Sequence, residues 1–126
     1  MNKLVKNVDR SVLNKEFLKS LNGILQLTDR ELELLNYLVE LDLKFDPTSG
    51  YSKNVVSTEN RKLIRKILHI TPDNLSRYVS KFKKEGLLVK GKADDELVVN
   101  RILIPEIIKD RVQITIILKT NEDNKK

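Results

Sequence analysis

The side chains best placed to do chemistry in this chain are cations, and their spacing points to binding rather than catalysis. Between Ser57 and Lys92 lie ten basic residues (Arg61, Lys62, Arg65, Lys66, Arg77, Lys81, Lys83, Lys84, Lys90 and Lys92) against three acidic ones (Glu59, Asp73 and Glu85), so this segment alone exceeds the net charge of +6 carried by all 126 residues. Arg61 with Arg65, and Lys62 with Lys66, are like charges four residues apart. On an isolated helix each such pair costs about 0.2–0.5 kcal/mol, a penalty that a facing row of anions reverses. The stretch Asp29 to Asp46 has the opposite character, with six acidic and two basic residues. The chain is therefore dipolar, and its positive side is the candidate binding surface.

Catalysis lacks its usual parts. The absence of Cys removes thiol nucleophiles, thiolate metal sites and disulfides, and it fits a reducing compartment. His69 is the only histidine and cannot furnish a multi-histidine zinc site or a His relay. There is no GxxxxGK phosphate loop, and Asp94 and Asp95 are neighbours on a polar turn, not convergent acids. No enzyme activity, metal or cofactor is expected. No apolar run approaches the roughly 20 residues that span a bilayer, and Met1 to Arg10 has no signal-peptide core. A cytoplasmic protein of one domain, with no membrane partner, is the expectation.

Several elements must position those cations. Ser11 to Asn22 reads as a short helix with Gly23 just past its end. Thr28 followed by Glu31 is a capping box, opening a helix in which Leu32, Leu34, Leu35, Leu38, Val39, Leu41 and Phe45 face the core and the acidic residues form a solvated outer face. After a loop over Asp46 to Lys53, a helix from Ser57 or Thr58 to Leu68 buries Leu63, Ile64 and Ile67. His69 and Ile70 connect it to Thr71-Pro72, an N-cap followed by proline at the first helical position. That helix buries Leu75, Val79 and Phe82 and ends at Gly86. Leu87 to Lys90 and Leu97 to Ile104, separated by a polar turn, predict a hairpin. Arg111 to Lys119 alternates as a further strand, and 121 to 126 is a polar tail.

This order resembles the winged helix-turn-helix family of DNA-binding domains. The stretch Leu75-Ser-Arg-Tyr-Val-Ser-Lys-Phe-Lys-Lys-Glu-Gly-Leu-Leu88 is similar to the recognition helix and first wing strand of MarR-like regulators and of phage and plasmid replication initiators. The resemblance implies an α+β fold with three core helices and a β-hairpin wing over residues 28 to 104. An N-terminal extension with its helix occupies 1 to 27, a C-terminal strand extension 105 to 120, and a tail 121 to 126. It implies double-stranded DNA as partner, a role in transcription regulation or replication initiation, and a bacterial, plasmid or phage origin. The helix over 72 to 85 would enter the major groove, with Asn74 suited to adenine and Arg77 to guanine. Ser76, Ser80, Lys81 and Lys84, together with Arg61, Lys62, Arg65 and Lys66, suit phosphates, as does Thr71 beside the free amides of the helix start. Lys90 and Lys92 would touch the backbone. The tip departs from the family pattern, because Asp94, Asp95 and Glu96 would be repelled by phosphates. An alternative is a phage structural or assembly protein using the same fold for protein contacts. In either reading a homodimer or other subunits would dock through residues 11 to 22, 111 to 119 or the acidic tip, and in the assembly reading through the acidic helix from Glu31 to Asp46 as well.

Overall fold

The computed structural model describes residues 2 to 121. In chain order these form α1 (Leu13–Leu25), α2 (Asp29–Lys44), α3 (Thr58–Leu68), α4 (Pro72–Lys84), β1 (Leu88–Lys90) and β2 (Leu97–Val99), with single 3-10 turns at Arg10–Val12 and Arg101–Leu103. The class is α+β, four helices with one small antiparallel sheet in which Leu88 stands opposite Val99 and Lys90 opposite Leu97. A third segment touches that sheet. The Val55 amide donates to the Leu97 carbonyl at 3.0 Å, and the Leu97 amide to the Lys53 carbonyl at 3.2 Å. No described helix is long and apolar enough to cross a membrane.

Helix α2 is central. Leu34, Leu35, Leu38 and Val39 have no solvent exposure, and they share one core with Leu18 of α1, Ile64 of α3, Leu75, Val79 and Phe82 of α4, and Val99 of β2. Its start is the capping box read from the sequence: the Glu31 amide donates to the Thr28 hydroxyl at 3.2 Å, and the Thr28 amide to Glu31 Oε1 at 2.9 Å.

Several expectations are corrected. Helix α1 does not stop before Gly23 but continues to Leu25, and Gln26 takes the left-handed conformation (φ 57°). The Asn22 side chain brackets Leu27, donating to its carbonyl at 3.0 Å and accepting from its amide at 2.9 Å. Those bonds and the burial of Leu27 hold Gln26 in a conformation that costs a non-glycine residue about 1 kcal/mol. Leu63 and Ile67 are not buried, at 45% and 51% exposure, because only Ile64 and Leu68 of α3 point into the core. The second strand ends at Val99, not Ile104. There the Asn100 side chain accepts from the Ile102 amide at 3.1 Å and donates to the Gly86 carbonyl at 2.9 Å, starting a 3-10 turn. Arg111 to Lys119 forms no strand. Its alternation finds no neighbouring edge, and pairing is limited to a single bridge between Ile108 and Arg111 around Lys109 (φ 61°). Of the expected polar tail, residues 122 to 126 lie outside the described residues.

The acidic face of α2 is corrected too, since Glu31 and Asp42 are buried. Asp42 Oδ1 accepts from Lys53 Nζ at 2.7 Å, while Oδ2 accepts from Arg101 at 2.6 Å and from the Val99 amide at 2.9 Å. Burial pushes the Asp42 carboxyl up, but the hydrogen bonds from Arg101, Lys53 and Val99 outweigh it and hold the group below its ordinary range. The folded state therefore favours the ionised form. That stabilisation is complete above the unfolded carboxyl value near pH 4 and is lost as pH falls through the lower folded value. Asp42→Ala strands the buried Val99 amide and is expected to cost about 2–3 kcal/mol. Urea denaturation at neutral pH reads that loss, and the variant should also lose part of the wild-type decline in stability below about pH 4.

Candidate nucleic-acid interface

Helices α3 and α4 are joined by His69, Ile70 and Thr71, and local chemistry fixes that turn. His69 adopts the left-handed conformation (φ 55°) with its amide on the Arg65 carbonyl, and Ile70 is buried. The Arg30 guanidinium of α2 donates to the Leu68 carbonyl and, at 3.3 Å, to that of His69, satisfying carbonyls that the helix end leaves free. Thr71 caps α4 by accepting from the Asn74 amide at 3.2 Å, with Pro72 in the first helical position. Ser57 caps α3 in the same way, accepting from the Asn60 amide at 3.2 Å.

With Ile64 and Leu68 turned inward, a rotation of about 100° per residue places Arg61 and Arg65 on the flank of α3 toward α4. Lys62 and Lys66 form its outermost ridge. Arg61, Arg65 and Ser76 meet in a cleft of about 220 Å³ that Thr58, Pro72 and Leu75 complete. Arg61 is half-buried there, its Nε donating to the Val56 carbonyl at 2.9 Å. On α4 the same periodicity puts Arg77, Ser80 and Lys84 along the exposed ridge opposite Leu75, Val79 and Phe82.

Other expected site residues lie elsewhere or are occupied. Asn74 is on the far flank of α4, where its Oδ1 accepts from Arg77 Nη2 at 3.0 Å; this bond, not an ion pair with Asp73, is what Arg77 makes in the free protein. Lys81 donates to Glu31 Oε2 at 2.6 Å. The carboxylate thus caps α2 with one oxygen and anchors α4 with the other. The bond to Glu31 holds the Lys81 ammonium above its ordinary pKa. Burial pushes Glu31 up, but Lys81 and the Thr28 amide outweigh it and keep the carboxyl lowered. Lys81, expected to face a phosphate, is joined to Glu31 and ties α4 to α2. Lys90 and Lys92 are exposed around the hairpin turn, away from the α3–α4 cleft.

The hairpin tip is less acidic at its surface than its sequence. Glu96 turns inward and accepts from the amides of Lys92 at 2.7 Å, Ala93 at 3.1 Å and Lys53 at 3.4 Å, which lowers its pKa. Only Asp94 and Asp95 face solvent there. A Cβ on Gly91 would lie 2.7 Å from Glu96 Oε1, so the glycine makes room for this cap. At the cation-rich surface Thr58, which the sequence marks only as a helix start, completes the cleft, and Lys83, one of the segment's ten cations, stands seven residues after Ser76 on the same side of α4. Among the described residues no group of three acidic, His or Cys side chains is placed to hold a metal ion.

Among the described residues, Arg61, Lys62, Arg65, Lys66, Arg77, Lys83 and Lys84 have no carboxylate partner, whereas Lys53, Lys81 and Arg101 are held by buried carboxylates. No protein-family model, curated protein or solved structure matches this chain. The division between paired and unpaired cations is testable by stability alone. Lys81→Ala is expected to destabilise the fold by leaving the buried Glu31 without its cation. Lys84→Ala should stay within about 0.5 kcal/mol of wild type; chemical denaturation of both variants compares them.

Proposed function

We propose that this chain binds double-stranded DNA as a small winged helix-turn-helix protein, with α4 in the major groove, acting as a transcription regulator or replication-initiation factor. One observation carries the reading: among the described residues, the cations of α3 and α4 other than Lys81 stand without carboxylate partners around the exposed surface and the cleft of these two helices. The tight turn between α3 and α4, and the hairpin after α4, support it through the element order. A helix about 10–12 Å across fits a major groove about 12 Å wide.

In this reading Arg77 points from the α4 ridge to a guanine edge. Asn74 holds the Arg77 guanidinium in place rather than reading adenine itself. Arg61, Arg65 and Ser76 take one phosphate in their cleft, and Lys62, Lys66, Ser80 and Lys84 take phosphates along the two ridges. The Thr71 hydroxyl accepts from Asn74 and keeps its own proton to donate to a further phosphate. Lys90 and Lys92 lie beside the duplex, while Asp94 and Asp95 keep the hairpin tip off the phosphates. The like-charge cost within α3 is then recovered on binding.

Fluorescence anisotropy with duplex DNA tests this. Log affinity should fall with log salt at a slope of about −3 to −4, from roughly −0.9 for each of four phosphates, the one held in the Arg61–Arg65 cleft and those met by Lys62, Lys66 and Lys84. Lys66→Ala should weaken all sequences alike and reduce the slope by about 1, whereas Arg77→Ala should relax base preference by about 1–3 kcal/mol at one position. Absence of duplex binding at low salt defeats the proposal. The exposed apolar residues after Ile107 favour one second reading, an assembly protein, which stable higher-order oligomers formed without DNA would mark.

A further inference from the structure

We propose that two copies of this chain associate by exchanging their C-terminal segments, residues 114 to 118 of each lying across a partly apolar groove of the other. The groove is a cleft of about 590 Å³ between α1 and the chain that follows β2; half of its lining is apolar, with Phe17, Ile102 and Ile108 among it, and Arg101, Glu106, Lys109 and Arg111 bring charge to the rest. Its wall is open to water, with Ile102 at 70% and Ile108 at 61% exposure. The segment leaving it is equally uncovered. Ile116 is 49%, Ile117 72% and Leu118 82% exposed. Groove wall and segment together present apolar surface on the order of several hundred Å², the size at which a patch on a soluble protein marks an interaction site.

Backbone chemistry points the same way. Among the described residues, positions 112 to 121 make no backbone hydrogen bond. Val112, Ile114, Ile116 and Leu118 alternate so that in a strand they share one face, and no charged residue lies between Val112 and Leu118. The segment therefore brings no charge of its own into the groove. Its amides and carbonyls pair with those of residues 112 to 115 of the host, which are equally without partners, in the manner of strand addition.

The occupant is a second copy because the chain cannot cover its own groove. Val112 and Gln113 already line it, so the residues that follow would have to reverse direction within Ile114 to Leu118. That run has no Gly, Pro, Asn or Asp and is almost entirely β-branched, the composition least able to turn. The preceding reversal, at Lys109 and Asp110, is what delivers the chain into the groove. Groove and segment lie on one chain, so a two-fold exchange fills both grooves and leaves nothing open for further growth. The uncharged part of the segment spans about 20 Å when extended, at roughly 3.3 Å per residue, enough to cross a shared axis.

The inference stands apart from DNA binding and is tested without DNA. Sedimentation equilibrium of the full chain across a concentration series should show a dimer of 14.6 kDa subunits. Ile116→Asp combined with Leu118→Asp should raise the dissociation constant at least about 100-fold, and Ile102→Asp in the groove should do the same. All three positions are exposed in the single chain, so helical circular dichroism should be unchanged. Mixing the arm variant with the groove variant restores one intact arm-in-groove contact, so the mixture should associate more tightly than either variant alone. A wild-type chain that stays monomeric, a dimer indifferent to these substitutions, or a mixture no tighter than its components overturns the exchange.

Discussion

The fold depends on a carboxylate that water does not reach. Asp42, in the last part of α2, gathers Lys53 from the loop before α3, the Val99 amide from β2 and the Arg101 guanidinium from the turn after it. Val99 and Arg101 lie 57 and 59 residues from Asp42 in the chain, and none of these groups is held to the others by a long sheet. With strands of three residues each, β1 and β2 cannot hold the C-terminal half by themselves. Asp42 supplies the missing constraint, because a buried carboxylate tolerates only an arrangement in which its oxygens are satisfied. Replacing one partner changes the cost of every other.

Glu31 repeats the device at the other end of α2. One of its oxygens completes the cap of α2 and the other holds Lys81 of α4, while Arg30 beside it closes the end of α3. Helix α2 therefore orients both helices of the candidate interface through polar contacts, on top of the apolar core. The consequence is electrostatic. The acids of α2 that lie inside draw Lys53, Lys81 and Arg101 to themselves, and the remaining cations of α3 and α4 are left facing water. Such a surface is tolerated in water because exposed charges are well solvated and their mutual repulsion is weak. In front of a phosphate row the same repulsion becomes attraction.

Most helix ends were legible in the sequence, residue by residue, the C-terminal end of α1 excepted. Thr28 with Glu31, Ser57 at the start of α3, Thr71 with Pro72, and Gly86 beyond α4 each use a side chain or a backbone freedom that acts within four residues. The faces of helices were legible where one stripe dominates, as with Leu75, Val79 and Phe82. They were not where the stripe is broader than the contact available to it. Leu63 and Ile67 have the right spacing to be buried, and no element arrives to bury them. Arg111 to Lys119 has the alternation of a strand and no edge to pair with.

The sequence by itself determined the four helices, the hairpin and the placement of most net positive charge on α3 and α4, because caps, turns and periodicity are short-range properties of the chain. Tertiary structure decided which charges remain available. Lys81 and Lys84 are three residues apart on one helix and indistinguishable by type, yet one is bound to Glu31 and the other is exposed. Glu96 and Asp95 are adjacent acids, and one caps three amides while the other faces solvent. The physical reason is that a charge acquires its role from the opposite charge or dipole within a few ångströms, and here that neighbour lies as far as 59 residues away in the chain.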